Sequence, residues 1–111
     1  MVIEYKLIEY LNAALDVPAY MEEPETIETS YVLIEKTGSS EENGINFATI
    51  AIQSYGPTMQ EAVDLNNSVK EVMDVFWHDD DIFRCKLNSD YNYTDTDTHR
   101  YRYQAVFDIA Y

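Results

Sequence analysis

Cations are scarce in this chain, and so are cysteine, glycine and proline. Its 111 residues hold seven Lys and Arg against 21 Asp and Glu, for a formal net charge of −14. Affinity for nucleic acid comes largely from Lys and Arg displacing counterions, so such a chain should repel phosphate backbones. Anionic membrane surfaces are disfavoured on the same ground. The one cysteine, Cys85, excludes an intramolecular disulfide and points to a reducing compartment. No apolar stretch approaches the roughly 20 residues needed to cross a bilayer. The first residues, Met1 to Lys6, lack the cationic start and apolar run of a signal peptide. A soluble protein made in the cytoplasm is therefore expected. With only three Gly and three Pro, most of the chain should be regular structure.

What is present is enough apolar material, 46% of residues, for one compact core in one domain over 1–111. Ile3, Leu7, Leu11 and Ala14 recur at spacings of three and four, which predicts a helix over 2–15 that Asp16 and Pro18 should stop. A short strand at 18–23 and an acidic loop at 24–30 follow. Residues 31–37 are β-formers, apolar on both faces as in an inner strand. Gly38-Ser39-Ser40-Glu41-Glu42-Asn43-Gly44 reads as a loop, with glycine at both ends and no apolar residue. Residues 45–54 then alternate, with Ala48, Ile50 and Ile52 on one face and Phe47, Thr49 and Ala51 on the other. The two strands should form a hairpin with a long mobile tip.

Gly56-Pro57 ends that strand, and Thr58-Met59-Gln60-Glu61 matches a capping box. A helix is predicted over about 58–77, burying Ala62, Leu65, Val69, Val72 and Phe76. Residues 82–93 and 99–110 should pair as a closing antiparallel hairpin around a polar turn at 94–98. In its last strand Tyr101, Tyr103, Ala105, Phe107 and Ile109 share one face, and Arg100, Arg102, Gln104 and Asp108 the other. The order is α-β-β-β-α-β-β. This is an α+β fold, an antiparallel or mixed sheet of about four to five strands with two helices packed on it.

Four of the seven cations, Arg84, Lys86, Arg100 and Arg102, fall in the last hairpin, beside Tyr91, Tyr93, Tyr101 and Tyr103. The pairing is expected to gather them into one basic stripe. Such a stripe has three readings: a solvated sheet face, a surface for single-stranded nucleic acid, or a patch that meets the acidic surface of a second copy. Head-to-tail contacts of the last kind close into rings. The 38–44 loop is either a free hairpin end or an arm that orders against a neighbour.

Chemistry is poorly represented. Asp79-Asp80-Asp81 and Asp95-Thr96-Asp97 lack the spacing of a calcium loop and read as solvated turn carboxylates. His78, Cys85 and His99 are too scattered for a zinc site, and Cys85 reads as core. There is no nucleophile elbow, phosphate loop or dinucleotide fingerprint. No catalytic, metal or cofactor site is expected, and the chain is not read as an enzyme.

Several long segments resemble the small proteins encoded in the tail-assembly region of Firmicutes phages and prophages. They are Tyr31-Val32-Leu33-Ile34-Glu35-Lys36-Thr37-Gly38, Ala48-Thr49-Ile50-Ala51-Ile52-Gln53-Ser54-Tyr55, Cys85 to Thr96, and Arg100 to Asp108. The resemblance runs over almost the whole chain. It implies a tail terminator, or tail-completion protein, of a long-tailed phage: a virion protein of the tail and neck, made in the host cytoplasm. Such a protein caps the tail tube, stops its polymerisation and provides the head-joining surface. The implied partners are further copies of itself in a hexameric ring, the tail tube protein, and a head-closure or connector protein. Phage DNA would pass through the lumen unbound, past an acidic wall. A neighbouring neck protein is the alternative, and a small nucleic-acid-binding regulator a third. The expected contact residues are Arg84, Lys86, Arg100, Arg102 and the segment Gly38, Ser39, Ser40, Glu41, Glu42, Asn43, Gly44.

Overall fold

A computed structural model describes residues 1–26, 29–78, 80–98 and 100–111, with all of their side chains but that of Trp77. It contains α1 (Ile3–Ala14), β1 (Ala19–Tyr20), β2 (Tyr31–Glu42), β3 (Ile45–Gly56), α2 (Met59–Asp74), a 3-10 turn (Phe76–His78), β4 (Arg84–Asn92) and β5 (Tyr101–Ala110). The α+β class and the order α-β-β-β-α-β-β are as the sequence predicts. The sheet is mixed, with strand order β1-β2-β3-β5-β4. Only the two-residue β1 pairs in parallel; all other neighbours are antiparallel.

Both helices pack on one face of the sheet. From α1 come Ile3, Leu7 and Leu11, all fully buried, whereas Ala14, the fourth residue of the predicted stripe, is exposed at the end of the helix. Val69 and Met73 come from α2 and meet Ile34, Ile50, Ile52, Ala105, Phe107 and Ile109 of the sheet. Removing any of these large side chains should cost about 2–5 kcal/mol, the usual cost of a core cavity. Tyr10 tethers α1 to α2 by donating its hydroxyl to the Val72 carbonyl. Its ring also packs 4.8 Å from that of Phe76.

The α2 start is capped as predicted. Thr58 accepts from the Glu61 N–H at 3.2 Å, while the Glu61 carboxylate takes the Thr58 hydroxyl at 3.1 Å. Gly56, just before it, leaves no room for a side chain, because an added Cβ would lie 2.7 Å from the Ala62 nitrogen. Helix α2 stops at Asp74, short of the expected 77, and the apolar run ends in the 3-10 turn. The expected strand at 18–23 shrinks to Ala19–Tyr20, whose first N–H is taken by the Asn12 side chain at 3.0 Å. Within the acidic 24–30 loop, 27 and 28 lie outside the described residues, as do Asp79 and His99.

The largest departure is at 38–44, which is not a loop. Strand β2 runs on to Glu42, and only Asn43 and Gly44 separate it from β3. Both have positive φ, 53° and 80°. That is the two-residue hairpin turn whose twist matches the flanking strands, and for which Asn-Gly is the preferred dipeptide. A bulge between Lys36 and Gly38 on β2 and another between Leu87 and Ser89 on β4 interrupt otherwise regular ladders.

Candidate interface on the open sheet face

The face away from the helices carries no second layer among the described residues. Register assigns its side chains. One row runs Ser40, Phe47, Ala110, Arg84; the next runs Gly38, Thr49, Asp108, Lys86; further along come Gln53 with Gln104 and Tyr31, Tyr55 and Arg102. Arg84 and Lys86 therefore sit at one end of this face, where β5 finishes. Arg100 and Arg102 sit at the other. Arg84 is level with Ala110, so roughly 27 Å of strand separates it from Arg102. The single basic stripe expected from the sequence does not form, because a hairpin puts the start of one strand beside the end of the other.

The Arg100–Arg102 end is a closed network. Tyr31 and Tyr55 stack with centroids 4.5 Å apart and planes within 11°. The Arg100 guanidinium lies over both rings, 5.7 Å from Tyr31 and 4.7 Å from Tyr55. It donates to Glu23 at 3.2 Å, and the Tyr31 hydroxyl donates to the same carboxylate oxygen at 3.0 Å. Arg102 donates to the Tyr55 hydroxyl at 2.9 Å and to the Tyr93 carbonyl at 2.6 Å, with its guanidinium 4.4 Å above the Tyr93 ring. Tyr55 donates its own hydroxyl hydrogen bond to the Gln53 amide oxygen, Gln53 donates to Gln104, and Gln104 donates to Tyr91. Burial pushes the Tyr55 phenol up, against the pull of Arg102.

Tyr31 and Tyr55 are 1% and 3% exposed, although no helix covers them. The arginines and the segment around Glu23 do. Rings occupied in this way present no free face for stacking bases, whereas Tyr91 and Tyr93, two of the tyrosines named for the nucleic-acid reading, are 41% and 44% exposed. Arg100 and Arg102, expected as contact residues, are committed within the chain.

The Arg84–Lys86 end is open. Lys6 pairs with Asp81, Lys36 with Glu4, Lys70 with Asp90 and Arg100 with Glu23. Among the described residues, Arg84 and Lys86 have no such partner. The nearest carboxylate along the Lys86 row, Asp108, instead accepts from Thr49 at 3.2 Å and Asn88 at 3.0 Å. A shallow groove runs here between Ser40 and Gly38 on one side and Arg84 and Lys86 on the other, with Thr49 and Asp108 in its floor. Phe47, Ile45 and Phe83 are exposed around it, at 40%, 37% and 67%. The expected contact residues Gly38 to Gly44 are at this same end, as strand and turn.

Chemical machinery is sparse among the described residues. No group of three or more His, Cys, Asp or Glu is placed to hold a metal ion. His99, one of the scattered zinc candidates, and Asp79, in the first acidic run, lie outside the described residues. Cys85 is half-buried, and burial followed by the Asp74 charge pushes its thiol up to about 12, the wrong direction for a nucleophile. Asp95 is held low, first by the Thr98 hydroxyl and then by the Asp97 N–H, which closes the 94–98 turn. No helix among the described residues is long and apolar enough to cross a membrane. No protein-family model matches the chain, and no curated protein is significantly similar to it.

Proposed function

We propose that this chain is an assembly subunit of a long-tailed phage, the terminator that caps the tail tube, halts its growth and offers the surface to which the head joins. The observation that carries the assembly role is the open end of the sheet. A chain with net charge −14 keeps Arg84 and Lys86 without an ion-pair partner among the described residues, beside exposed Phe47 and Ile45. Free cations on a strongly acidic molecule favour contact with another acidic surface, and further copies of the chain supply one. The tail role itself rests on the resemblance of the long segments named above. In this reading, which the resemblance supplies, the copies form a hexameric ring between the tube protein and a head-closure or connector protein. The acidic wall lets DNA pass without sticking.

Deletion from the encoding phage tests it. The expected result is tails of irregular, excessive length that fail to join heads. Tails of normal length that join heads without this protein would sink the proposal. Retention of the protein on tailless heads, with none on free tails, would move it to the head side of the neck.

A further inference from the structure

Strand direction alternates without a break from β2 through β3 and β5 to β4. The two outer strands of this set are therefore antiparallel to each other, although roughly 14 Å of sheet separates them. A second copy set beside the first in the same orientation brings its β4 against β2 of the first in the antiparallel sense, and the alternation continues across the boundary.

Among the described residues both edges are largely bare. Strand β1 covers β2 only at Val32 and Leu33. From Glu35 to Glu42 every residue of β2 is exposed. Strand β4 has no outer neighbour among the described residues. Unpaired edge N–H and C=O groups are templates for another strand. The two bulges fit this use. Thr37 is the extra residue of β2 and Asn88 that of β4, so each strand spends the same number of residues between matching levels. Ser40 is level with Arg84, Gly38 with Lys86, Glu35 with Ser89 and Val32 with Asn92. Two copies side by side can then pair Ser40–Arg84 through Glu35–Ser89 with neither bulge breaking the ladder between them.

The charges agree with that register. With Arg84 of one copy opposite Ser40 of the next, Glu42 is its diagonal neighbour on the same face, about 7–8 Å away and within reach of a long side chain. Exposed Phe83 comes level with Glu41, so its ring lies against the carboxylate's aliphatic stem. Glu35 meets Ser89, and no like charges are placed opposite each other. A slide by two residues sets Arg84 directly against Glu42 and keeps every side chain on its face.

Building on the self-association proposed above, we infer that copies of this chain join edge to edge, β2 of one to β4 of the next, with Arg84 reaching Glu42 on the open face and Phe83 against Glu41 on the other. The contact is head-to-tail, and it closes into a ring when the rotation between copies closes.

Sedimentation velocity and disulfide trapping test it on the full chain. Arg84→Glu should weaken assembly at least about tenfold, as should Glu42→Lys, and the two changes together should restore it. Both sites are exposed, so thermal unfolding by circular dichroism should match the parent. Ser40→Cys/Arg84→Cys in a Cys85→Ser background should give a ladder of covalent multimers on non-reducing gels. Within one chain these two positions are too far apart for a disulfide, which needs Cα atoms closer than about 7 Å. Parent protein that assembles while the charge reversals and the cysteine pair have no effect overturns this contact and leaves the ring standing. Loss of assembly without recovery in the doubly substituted Arg84→Glu/Glu42→Lys variant, and without the ladder, overturns it equally. Parent protein that stays monomeric both alone and on isolated tail tubes overturns the contact and the ring together.

Discussion

The Arg100 guanidinium lies 4.7 Å from the centre of the Tyr55 ring and bonds Glu23, 77 residues earlier in sequence, at 3.2 Å. One side chain thus joins the last strand to the segment between β1 and β2 and roofs two tyrosines that no helix covers. Arg100→Ala should destabilise the fold by about 1–2 kcal/mol, the sum of a part-buried cation–π contact and a charge-assisted hydrogen bond. Tyr55→Leu should make most of that cost disappear from a double-mutant cycle read by urea unfolding. Additive losses would mean that Arg100 acts through Glu23 alone. Self-association should be unchanged by either substitution.

Gly44 closes the β2–β3 hairpin at φ 80°, and no heavy atom lies within 4 Å of the Cβ it lacks. Backbone conformation alone therefore sets the cost of Gly44→Ala, about 1 kcal/mol. Gly38→Ala, equally unobstructed but without a positive φ, should be neutral or slightly stabilising. Gly56→Ala should cost more than either, because its Cβ would meet the backbone of α2. Urea midpoints of the three variants check the ranking. Amide hydrogen exchange checks the turn itself, with β3 N–H groups facing β2 protected well beyond Ile45.

The helices and the core faces of the strands were legible because burial imposes period. Leu7 and Leu11, or Ile50 and Ile52, can be placed from spacing alone. Residues 38–42 were not, since Gly38-Ser39-Ser40-Glu41-Glu42 has no apolar residue and a strand exposed on both faces leaves no hydrophobic pattern. The signal that was there, Asn43-Gly44 between two β-rich runs, is a hairpin turn and was subsumed in a longer polar stretch. The split of the cations was recoverable in principle, because Arg84 and Arg102 are at opposite ends of a hairpin whatever its register. The roof over Tyr31 and Tyr55 was not, since it depends on contacts between segments far apart in sequence.

Asp90 accepts from Lys70 at 2.8 Å and from Asn66 at 3.0 Å, and it holds α2 against β4. The Lys70 hydrogen bond, with that of Asn66, keeps its carboxyl below the usual range. A depressed folded-state pKa stabilises the protein fully above the unfolded value of about 3.9, and that contribution is lost as pH falls through the folded value. Asp90→Asn should therefore flatten the acid limb of stability below about pH 4 and lower stability at pH 7. Asp90→Ala should be worse at neutral pH, by about 1–3 kcal/mol, because Asn66 is 2% exposed and would lose its amide acceptor. Stability against pH for the parent and both variants decides this. An unchanged acid limb in Asp90→Asn would show that the bond contributes nothing.

Cys85 gives the sharpest kinetic expectation. Its thiol sits among Met73, Leu87 and Phe107, beside Asp74, and burial with that negative charge pushes it up to about 12. The thiolate is the reactive species, so the native protein should hold less than about a thousandth of Cys85 as thiolate at pH 8, against roughly a quarter for a free thiol of pKa about 8.5. Modification by a small disulfide reagent at pH 8 should be at least about a hundredfold slower in native protein than in urea, and rise tenfold per pH unit through pH 10. Asp74→Asn should speed it only a few-fold, since burial is the larger cause. A native rate near that of a free thiol would mean that the α2–β4 seam opens readily, and the edge strand proposed to meet a second copy would then not be the fixed template that the contact requires.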